Sequence, residues 1–193
     1  IVPGEVLTVR AKPVGIEGKD SGVVVTTLLE TRDSNDELVN EQYFIGFFRG
    51  GRFEGSFGEK SPEHTFDAAL RDSEPAFTSV QTFDEDQTFR YSDPAGDPMP
   101  IHLDNDAAVA AGLPGIIAHG LCTMAFTSWA ALTELADSRT ERLKELAVRF
   151  AKPVLPGQDI TTSFWKNGAV GTYSYETSVG DDLVIKNGHA VIA

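Results

Sequence analysis

Asp97 and His102 are the two residues of this sequence whose types and spacing best suit proton transfer. They lie five residues apart in the segment DPMPIH. Pro98 and Pro100 lack amide donors and favour extended backbone in the residue before them, so this loop cannot be regular helix. A carboxylate and an imidazole that converge on one water or substrate atom can act as general acid and base. The residues alone leave open which group accepts the proton and which donates it.

The other histidines and the single cysteine are predicted to have structural roles. His119 precedes an apolar segment and is interpreted as a partner for buried backbone groups, while His64 and His189 are interpreted as incidental. Cys122 lies in the apolar segment, where a thiol usually serves as a small hydrophobic group. A single cysteine excludes an intrachain disulfide and favours a reducing compartment.

A metal site is the alternative for the acidic loop. The residues with suitable ligand types are Asp97, His102, Asp104 and His119. Their spacing matches no zinc-binding pattern, so we predict that the chain holds no metal.

Two helices are predicted after the acid–imidazole pair. Asp104 is a good N-cap for a short helix, which Gly112 and Pro114 should end. The second helix is predicted over residues 119–137 and has almost no polar face. A helix that is apolar all round must be surrounded by protein, and this one is too short to span a bilayer.

Four strands are predicted at the C-terminal end of the chain, over residues 146–152, 159–166, 170–179 and 183–192. Turn signals separate them, and Asn167-Gly168 is a strong hairpin signal. One buried helix followed by consecutive antiparallel strands predicts an α+β hotdog fold, in which the sheet wraps around a central helix.

Two motifs carry a resemblance to a known family. The segments GDPMPIHLD and HGLCT resemble the motif of the MaoC-like dehydratases, the (R)-specific enoyl-CoA hydratases known as hydratase 2. The later segments RLKELAVRFAKPVLPGQDI, FWKNG and NGHAVIA are similar to the strands after the central helix in two-hotdog members, such as the hydratase part of peroxisomal multifunctional enzymes. The resemblance covers residues 91–193. Met99 departs from the family, which usually has Asn there within GD-x-N-P-x-H, so an amide that would fix the loop is missing.

The resemblance implies a hydro-lyase that adds water to trans-2-enoyl-CoA to give (3R)-3-hydroxyacyl-CoA, or that runs the reverse dehydration. It implies that Asp97 and His102 activate the water and that the amide of Gly120 stabilises the oxyanion. The residues that it implies in substrate contact are Pro98, Met99, Pro100, Ile101 and Phe150. A hotdog acyl-CoA thioesterase and a non-catalytic acyl-thioester-binding subunit are the alternatives.

The first part of the chain partly repeats the last part. GEVLTVRAK follows Val2-Pro3-Gly4 much as QDITTSFWK follows Leu155-Pro156-Gly157, and each is followed by strands in a similar order. We therefore predict three regions: the C-terminal strands of an incomplete N-terminal hotdog (1–48), a linker rich in Gly, Pro and charge (49–81) and a catalytic hotdog (82–193).

Charge and composition restrict the partners. A net charge of −13 argues against nucleic acid binding. A coenzyme A site would need a local basic patch, for which Arg149, Lys152 and Lys166 are the candidates. We predict an acyl-CoA substrate, no cofactor besides the coenzyme A that is part of this substrate, and no membrane partner. We also predict a homodimer, or association with a missing N-terminal segment, in the cytoplasm or, in a eukaryote, the peroxisome.

Overall fold

The structure is a computed structural model that describes every residue from Ile1 to Ala193. The chain divides into two compact units, Ile1–Glu63 and His64–Ala193. None of its helices has both the length and the apolar character that crossing a bilayer requires.

The first unit is an antiparallel sheet of four strands without a helix, in the order β3-β2-β1-β4. The strands are β1 (Thr8–Lys19), β2 (Gly22–Arg32), β3 (Leu38–Arg49) and β4 (Ser56–Gly58). Strand β3 exposes large apolar side chains, which are Phe44, Ile45, Phe47 and Phe48. A single sheet with no helix on it leaves such side chains without a partner inside this unit.

The second unit contains a five-stranded antiparallel sheet in the order β5-β7-β8-β9-β6. Its strands are β5 (Phe77–Thr82), β6 (Leu143–Phe150), β7 (Asp159–Lys166), β8 (Thr172–Val179) and β9 (Asp182–Ile192). The hairpin between β7 and β8 contains Asn167-Gly168, with the glycine at φ 79°. Positive φ suits glycine at such a turn, as the sequence predicts.

Three α-helices lie between β5 and β6, namely α1 (Gln87–Ala95), α2 (Asn105–Ala110) and α3 (Gly120–Leu135). The small residues Ala130 and Ala131 of α3 pack against Phe164, Tyr175 and Ile185 of the sheet. A second cluster surrounds the start of α3 and is formed by Phe83, Ala118, Cys122, Val154, Ile160 and Val184. The chain therefore has the predicted α+β hotdog architecture, with α3 as the central helix.

Helix α3 is not surrounded by protein on all sides, contrary to the expectation from its composition. Leu121 and Trp129 are 57 % and 64 % exposed, and Ala125 lies between them on the same side. Residues spaced by four share one face of a helix, so these three form an exposed apolar stripe. Small residues on the opposite side make the contact with the sheet, and apolar composition alone does not reveal which side is covered.

The segment from His64 to Ala76 covers the face of the sheet that points away from α3. Phe66 packs edge-on against Trp165 of β7, with ring centroids 5.3 Å apart. Arg71 forms two hydrogen bonds of 2.8 and 2.7 Å with the buried carboxylate of Glu176.

The region 49–81, predicted as a linker, contains β4, this covering segment and most of β5. Strand β5 alternates between half-buried and exposed residues. The Pro and charged residues next to it make this alternation hard to recognise in the sequence.

Candidate active site

Asp97 lies immediately after α1 and is held by hydrogen bonds to Ser92 of that helix. Gly96 ends the helix in the left-handed region at φ 64°. The Asp97 amide then donates to the Ser92 carbonyl at 3.1 Å, and the Ser92 hydroxyl donates to the Asp97 carbonyl at 2.9 Å. This local geometry directs the chain out of α1 and fixes the backbone of the candidate carboxylate.

His102 is buried at the end of a short 3₁₀ helix, Pro100–His102, in which Pro100 is compatible with the first position. Its Nδ1 atom lies 2.8 Å from the Ile117 carbonyl oxygen. A carbonyl can only accept a hydrogen bond, so Nδ1 carries the proton. In the neutral ring, Nε2 therefore has the free lone pair and is the nitrogen available for chemistry.

His119 completes a cluster around Asp97. Its Nε2 atom donates to the Asp97 carbonyl at 3.0 Å, so it does pair with a buried backbone group, as the sequence suggests. Its ring also stacks on that of His102, with centroids 3.9 Å apart. Its Nδ1 atom is buried without a hydrogen-bond partner. The stacking restricts the His102 ring on one of its faces.

These three side chains converge on one small volume. A carboxylate oxygen of Asp97 and one ring nitrogen each of His102 and His119 lie within 4.8 Å of one another. Asp104 is not part of this group, because its side chain accepts from the Ala107 amide at 2.9 Å and caps α2. The arrangement brings a carboxylate and an imidazole ring close together, and such a pair suits acid–base chemistry on one water molecule.

The N-terminus of α3 lies beside this cluster, since Gly120 directly follows His119. No side chain caps the helix, and the first amides of a helix have no partner within it. A β-carbon on Gly120 would lie 3.3 Å from two atoms of the Phe150 ring. The absence of a side chain therefore lets Phe150 pack against the start of α3, where the helix dipole favours developing negative charge.

The residues predicted to contact substrate lie around this site with different exposure. Pro98, Met99 and Pro100 are exposed, whereas Ile101 is half-buried. The loop around Met99 is held by backbone hydrogen bonds: Ile117 donates to the Ile101 carbonyl at 3.2 Å, and His102 donates to that of Met99 at 3.0 Å.

One residue of the predicted basic patch, Lys152, already has an acidic partner. Phe150 is exposed at the end of β6, beside the exposed Arg149. Arg149 and Lys166 form no ion pair, whereas Lys152 pairs with Asp182. Arg149 is therefore the candidate in this group that precedes Phe150 in the chain and forms no ion pair.

Cys122 has the environment of a structural residue. The thiol is buried in the cluster at the start of α3, and burial raises its pKa. The Gln87 amide approaches the sulfur at 3.8 Å. A neutral, enclosed thiol is a poor nucleophile, which agrees with its interpretation as a small hydrophobic group.

Sequence reasoning missed three residues that hold the site together. Ser92 anchors Asp97, and Ile117 fixes the tautomer of His102. Tyr91 packs against His119 with ring centroids 4.9 Å apart, and burial raises the pKa of its hydroxyl. Of these three, only Ser92 could have been found from the local sequence. It lies five residues before Asp97, and a serine hydroxyl can bond to the nearby backbone where the chain leaves a helix.

Comparison with known proteins identifies the family. Residues 67–186 match the model of the MaoC like domain. Peroxisomal multifunctional enzyme type 2 of Mus musculus is 34 % identical over 177 residues, which cover 89 % of this chain and 23 % of the mouse protein. A probable enoyl-CoA hydratase 2 of Dictyostelium discoideum is 29 % identical over 189 residues, covering 97 % of this chain and 64 % of that protein.

A solved structure agrees with these relatives. The MaoC-like dehydratase from Phytophthora capsici superimposes with a TM-score of 0.89 at 26 % identity, covering 97 % of this chain and 64 % of that one. The chain thus spans less than two thirds of the length of these relatives. The hotdog fold and the matched domain together define its class: the chain belongs to the MaoC-like dehydratase family.

Proposed function

We propose that this chain hydrates trans-2-enoyl-CoA thioesters to (3R)-3-hydroxyacyl-CoA and catalyses the reverse dehydration. The observation that carries the proposal is the convergence of the Asp97 carboxylate and the His102 ring beside the uncapped start of α3. The family supports the reaction class, and the (R) configuration follows from resemblance to hydratase 2.

Water attack at the β-carbon forms a carbon–oxygen bond and moves the double-bond electrons onto the thioester oxygen. The Gly120 amide would donate to this oxyanion at the positive end of α3. Collapse of the enolate then takes a proton onto the α-carbon.

The two proton transfers require that Asp97 and His102 share one transferable proton. If His102 holds it, ionised Asp97 accepts the proton of water while Nε2–H protonates the α-carbon. If Asp97 holds it, the Nε2 lone pair of His102 accepts from water and Asp97 donates. In either case Nε2 is the reacting nitrogen, since Nδ1 donates to the Ile117 carbonyl.

The substrate would enter past exposed residues at the edge of the site. Pro98, Met99 and Pro100 would contact the acyl or thioester part, and Ile101 and Phe150 would pack against it. Arg149 would pair with a phosphate of coenzyme A, because it lies beside Phe150 and has no other charged partner.

Substitution of the pair tests this function directly. Asp97→Asn and His102→Ala should each lower hydration of crotonyl-CoA or a longer enoyl-CoA by about 100-fold or more, because general acid–base catalysis contributes that much. Loss of the conjugated chromophore measures the rate, and circular dichroism checks that the variants are folded. Asp106→Asn is the matched control, since it removes an exposed carboxylate a few residues further along and should leave the rate unchanged.

Two results would replace the proposal with an alternative. Release of free thiol without loss of the double bond would identify a thioesterase. Acyl-CoA binding with no turnover in the wild-type chain would identify a binding subunit. Wild-type turnover in Asp97→Asn or His102→Ala would remove that residue from the mechanism.

The compartment and the partners stay predictions. The mouse relative is named as peroxisomal, which supports the peroxisome over the cytoplasm if this chain comes from a eukaryote. A homodimer is supported by the exposed apolar stripe on α3.

A further inference from the structure

A second cluster of metal-ligating side chains lies on the face of the sheet that points away from α3. The Nε2 atoms of His64 and His189 lie 3.2 and 3.8 Å from the same carboxylate oxygen of Glu145. The two rings are stacked, with centroids 4.3 Å apart and planes 10° from parallel. One ligand atom from each of the three residues lies within 4.8 Å of the others. None of them belongs to the candidate active site.

The sheet and the covering segment bring these residues together. Glu145 of β6 pairs with Val191, and His189 of β9 pairs with Ala147, so the two side chains are diagonal neighbours on one face. The adjacent Ala190 is fully buried on the α3 side, which places His189 on the opposite side. His64 reaches the cluster from the segment before β5.

Phe66 anchors this end of the segment. Its amide donates to the Asn187 side chain at 3.2 Å, and its ring is buried against Trp165. Residue 64 is therefore held near β9 by an independent contact two positions away. The three ligands are presented by two strands and one anchored segment, so their spacing depends on the tertiary fold.

Two of the distances between ligand atoms are close to what a small cation requires. A tetrahedral zinc ion with bonds of about 2.0–2.1 Å holds its ligand atoms about 3.3 Å apart. The two observed nitrogen–oxygen distances lie on either side of this value. The 3.8 Å distance exceeds the range of a hydrogen bond, so Glu145 stabilises His189 little unless an ion lies between them. The rings must turn for an ion to lie in both planes, and His64 can turn because it lies outside any helix or strand.

We propose that His64, Glu145 and His189 bind one zinc-type divalent cation, with a fourth position open to water. Two imidazoles and one carboxylate are a ligand set that suits zinc. The ion would join the covering segment to β6 and β9 and stabilise the fold. The hydration chemistry does not depend on it.

Zinc binding to the chelator-treated full chain tests the proposal. Titration calorimetry should show a site that His64→Gln, Glu145→Gln and His189→Gln each weaken by at least about 10-fold, because each removes one of three ligands. Zinc at 100 times its Kd should raise the Tm of the wild-type chain by about 5 °C and that of Glu145→Gln by much less. Cobalt should give a visible d–d absorption band that Glu145→Gln loses.

Asp97→Asn is the matched control, because Asp97, His102 and His119 form the other group with metal-ligating atoms in reach. It should retain zinc affinity, the rise in Tm and the cobalt band. Equal zinc affinity in wild type, His64→Gln and Glu145→Gln would overturn the proposal, as would loss of binding in Asp97→Asn. His64 and Glu145 are partly exposed, so their variants should fold, and circular dichroism verifies this.

Discussion

At the scale of single residues, the two histidines of the candidate active site have opposite tautomers. The Ile117 carbonyl holds the proton of His102 on Nδ1, and the Asp97 carbonyl holds that of His119 on Nε2. The lone pairs left free are therefore Nε2 of His102 and Nδ1 of His119. Both acceptors are 15 or more residues away in sequence, so the assignment follows from the fold.

The carbonyl of Asp97 receives two hydrogen bonds, from Ser92 and His119, and we expect both to support catalysis by fixing the loop. Ser92→Ala should lower kcat about 5- to 10-fold, since one such bond contributes about 1 kcal/mol. KM should change less than about twofold, because Ser92 is buried and its hydroxyl bonds to the Asp97 backbone. Steady-state enoyl-CoA hydration measures both.

Ser128→Ala is the matched control for that variant. Its hydroxyl donates within α3 to the Ala125 carbonyl at 2.8 Å, away from Asp97. It should leave kcat unchanged. Equal losses of kcat in the two variants would mean that Ser92 contributes only general stability.

The single cysteine provides a prediction about pH. Burial raises the pKa of Cys122, so the folded chain disfavours the thiolate. Stability from the neutral thiol is fully present below the unfolded pKa and declines as the pH rises through the folded value. At pH 8, iodoacetamide should therefore alkylate the folded chain much more slowly than the urea-unfolded chain, as mass spectrometry can measure. Equal alkylation rates in the two states would contradict the burial of this thiol.

At the scale of elements, the covering segment is held by an ion pair between Arg71 and Glu176, of which only Glu176 is buried. Glu176 is 6 % exposed, and Arg71 is about half exposed. Arg71→Ala should destabilise the chain by about 1–3 kcal/mol, because it leaves a buried carboxylate without its partner while solvent screens part of the effect. Urea denaturation followed by Trp165 fluorescence measures this loss.

Arg90 offers a matched comparison. It pairs with Asp84 and Asp86, but all three side chains are more than half exposed. Arg90→Ala should therefore leave the denaturation midpoint unchanged. If Arg71→Ala behaves in the same way, the covering segment is held by its other contacts, such as Phe66 against Trp165.

The elements most accurately predicted from the sequence are those with strong local signals. Strand β7 was predicted with its observed bounds, and the Asp104 cap and Gly112 stop delimit α2 as expected. Helix α1 was missed, because Pro94 lies inside it and its residues are mostly polar. The helix tolerates Pro94 because this residue lies in the last turn, after the backbone of the earlier turns is already helical.

The candidate site was predicted only where its residues are close in sequence. Asp97 and His102 share one loop, and a proline-rich acid–imidazole pair is visible without a fold. The stacking of His119 on His102 and the meeting of His64 with His189 depend on tertiary packing. His64 and His189 were interpreted as incidental. They are 125 positions apart, and no local sequence pattern indicates that they meet in the fold.

At the scale of the whole molecule, both units are built on antiparallel strands that follow one another along the chain. The order β3-β2-β1 in the first unit parallels the order β9-β8-β7 in the second, whereas the fourth strand differs, because β4 follows β3 in the chain and β5 precedes β7. The internal duplication and the predicted domain boundaries both stay predictions. The first unit has no counterpart of α3, and both units expose apolar residues.

The exposed stripe of Leu121, Ala125 and Trp129 leads to a prediction about assembly. Contiguous apolar surface on a folded chain usually marks an interface, and we expect a homodimer that covers this stripe. Trp129 should then become protected from acrylamide quenching as the protein concentration rises. Because each copy carries a net charge of −13, moderate salt should strengthen the association by screening repulsion.

Two single-tryptophan variants make this measurement specific. Trp165→Phe leaves only Trp129 as the reporter, and Trp129→Phe leaves only the buried Trp165, whose quenching should not depend on concentration. Sedimentation velocity gives the mass at the same concentrations. A monomeric mass throughout, with Trp129 equally quenched at low and high concentration, would show that a second copy does not cover the stripe. Concentration-dependent protection of Trp165 without protection of Trp129 would place the interface on the other face of the sheet.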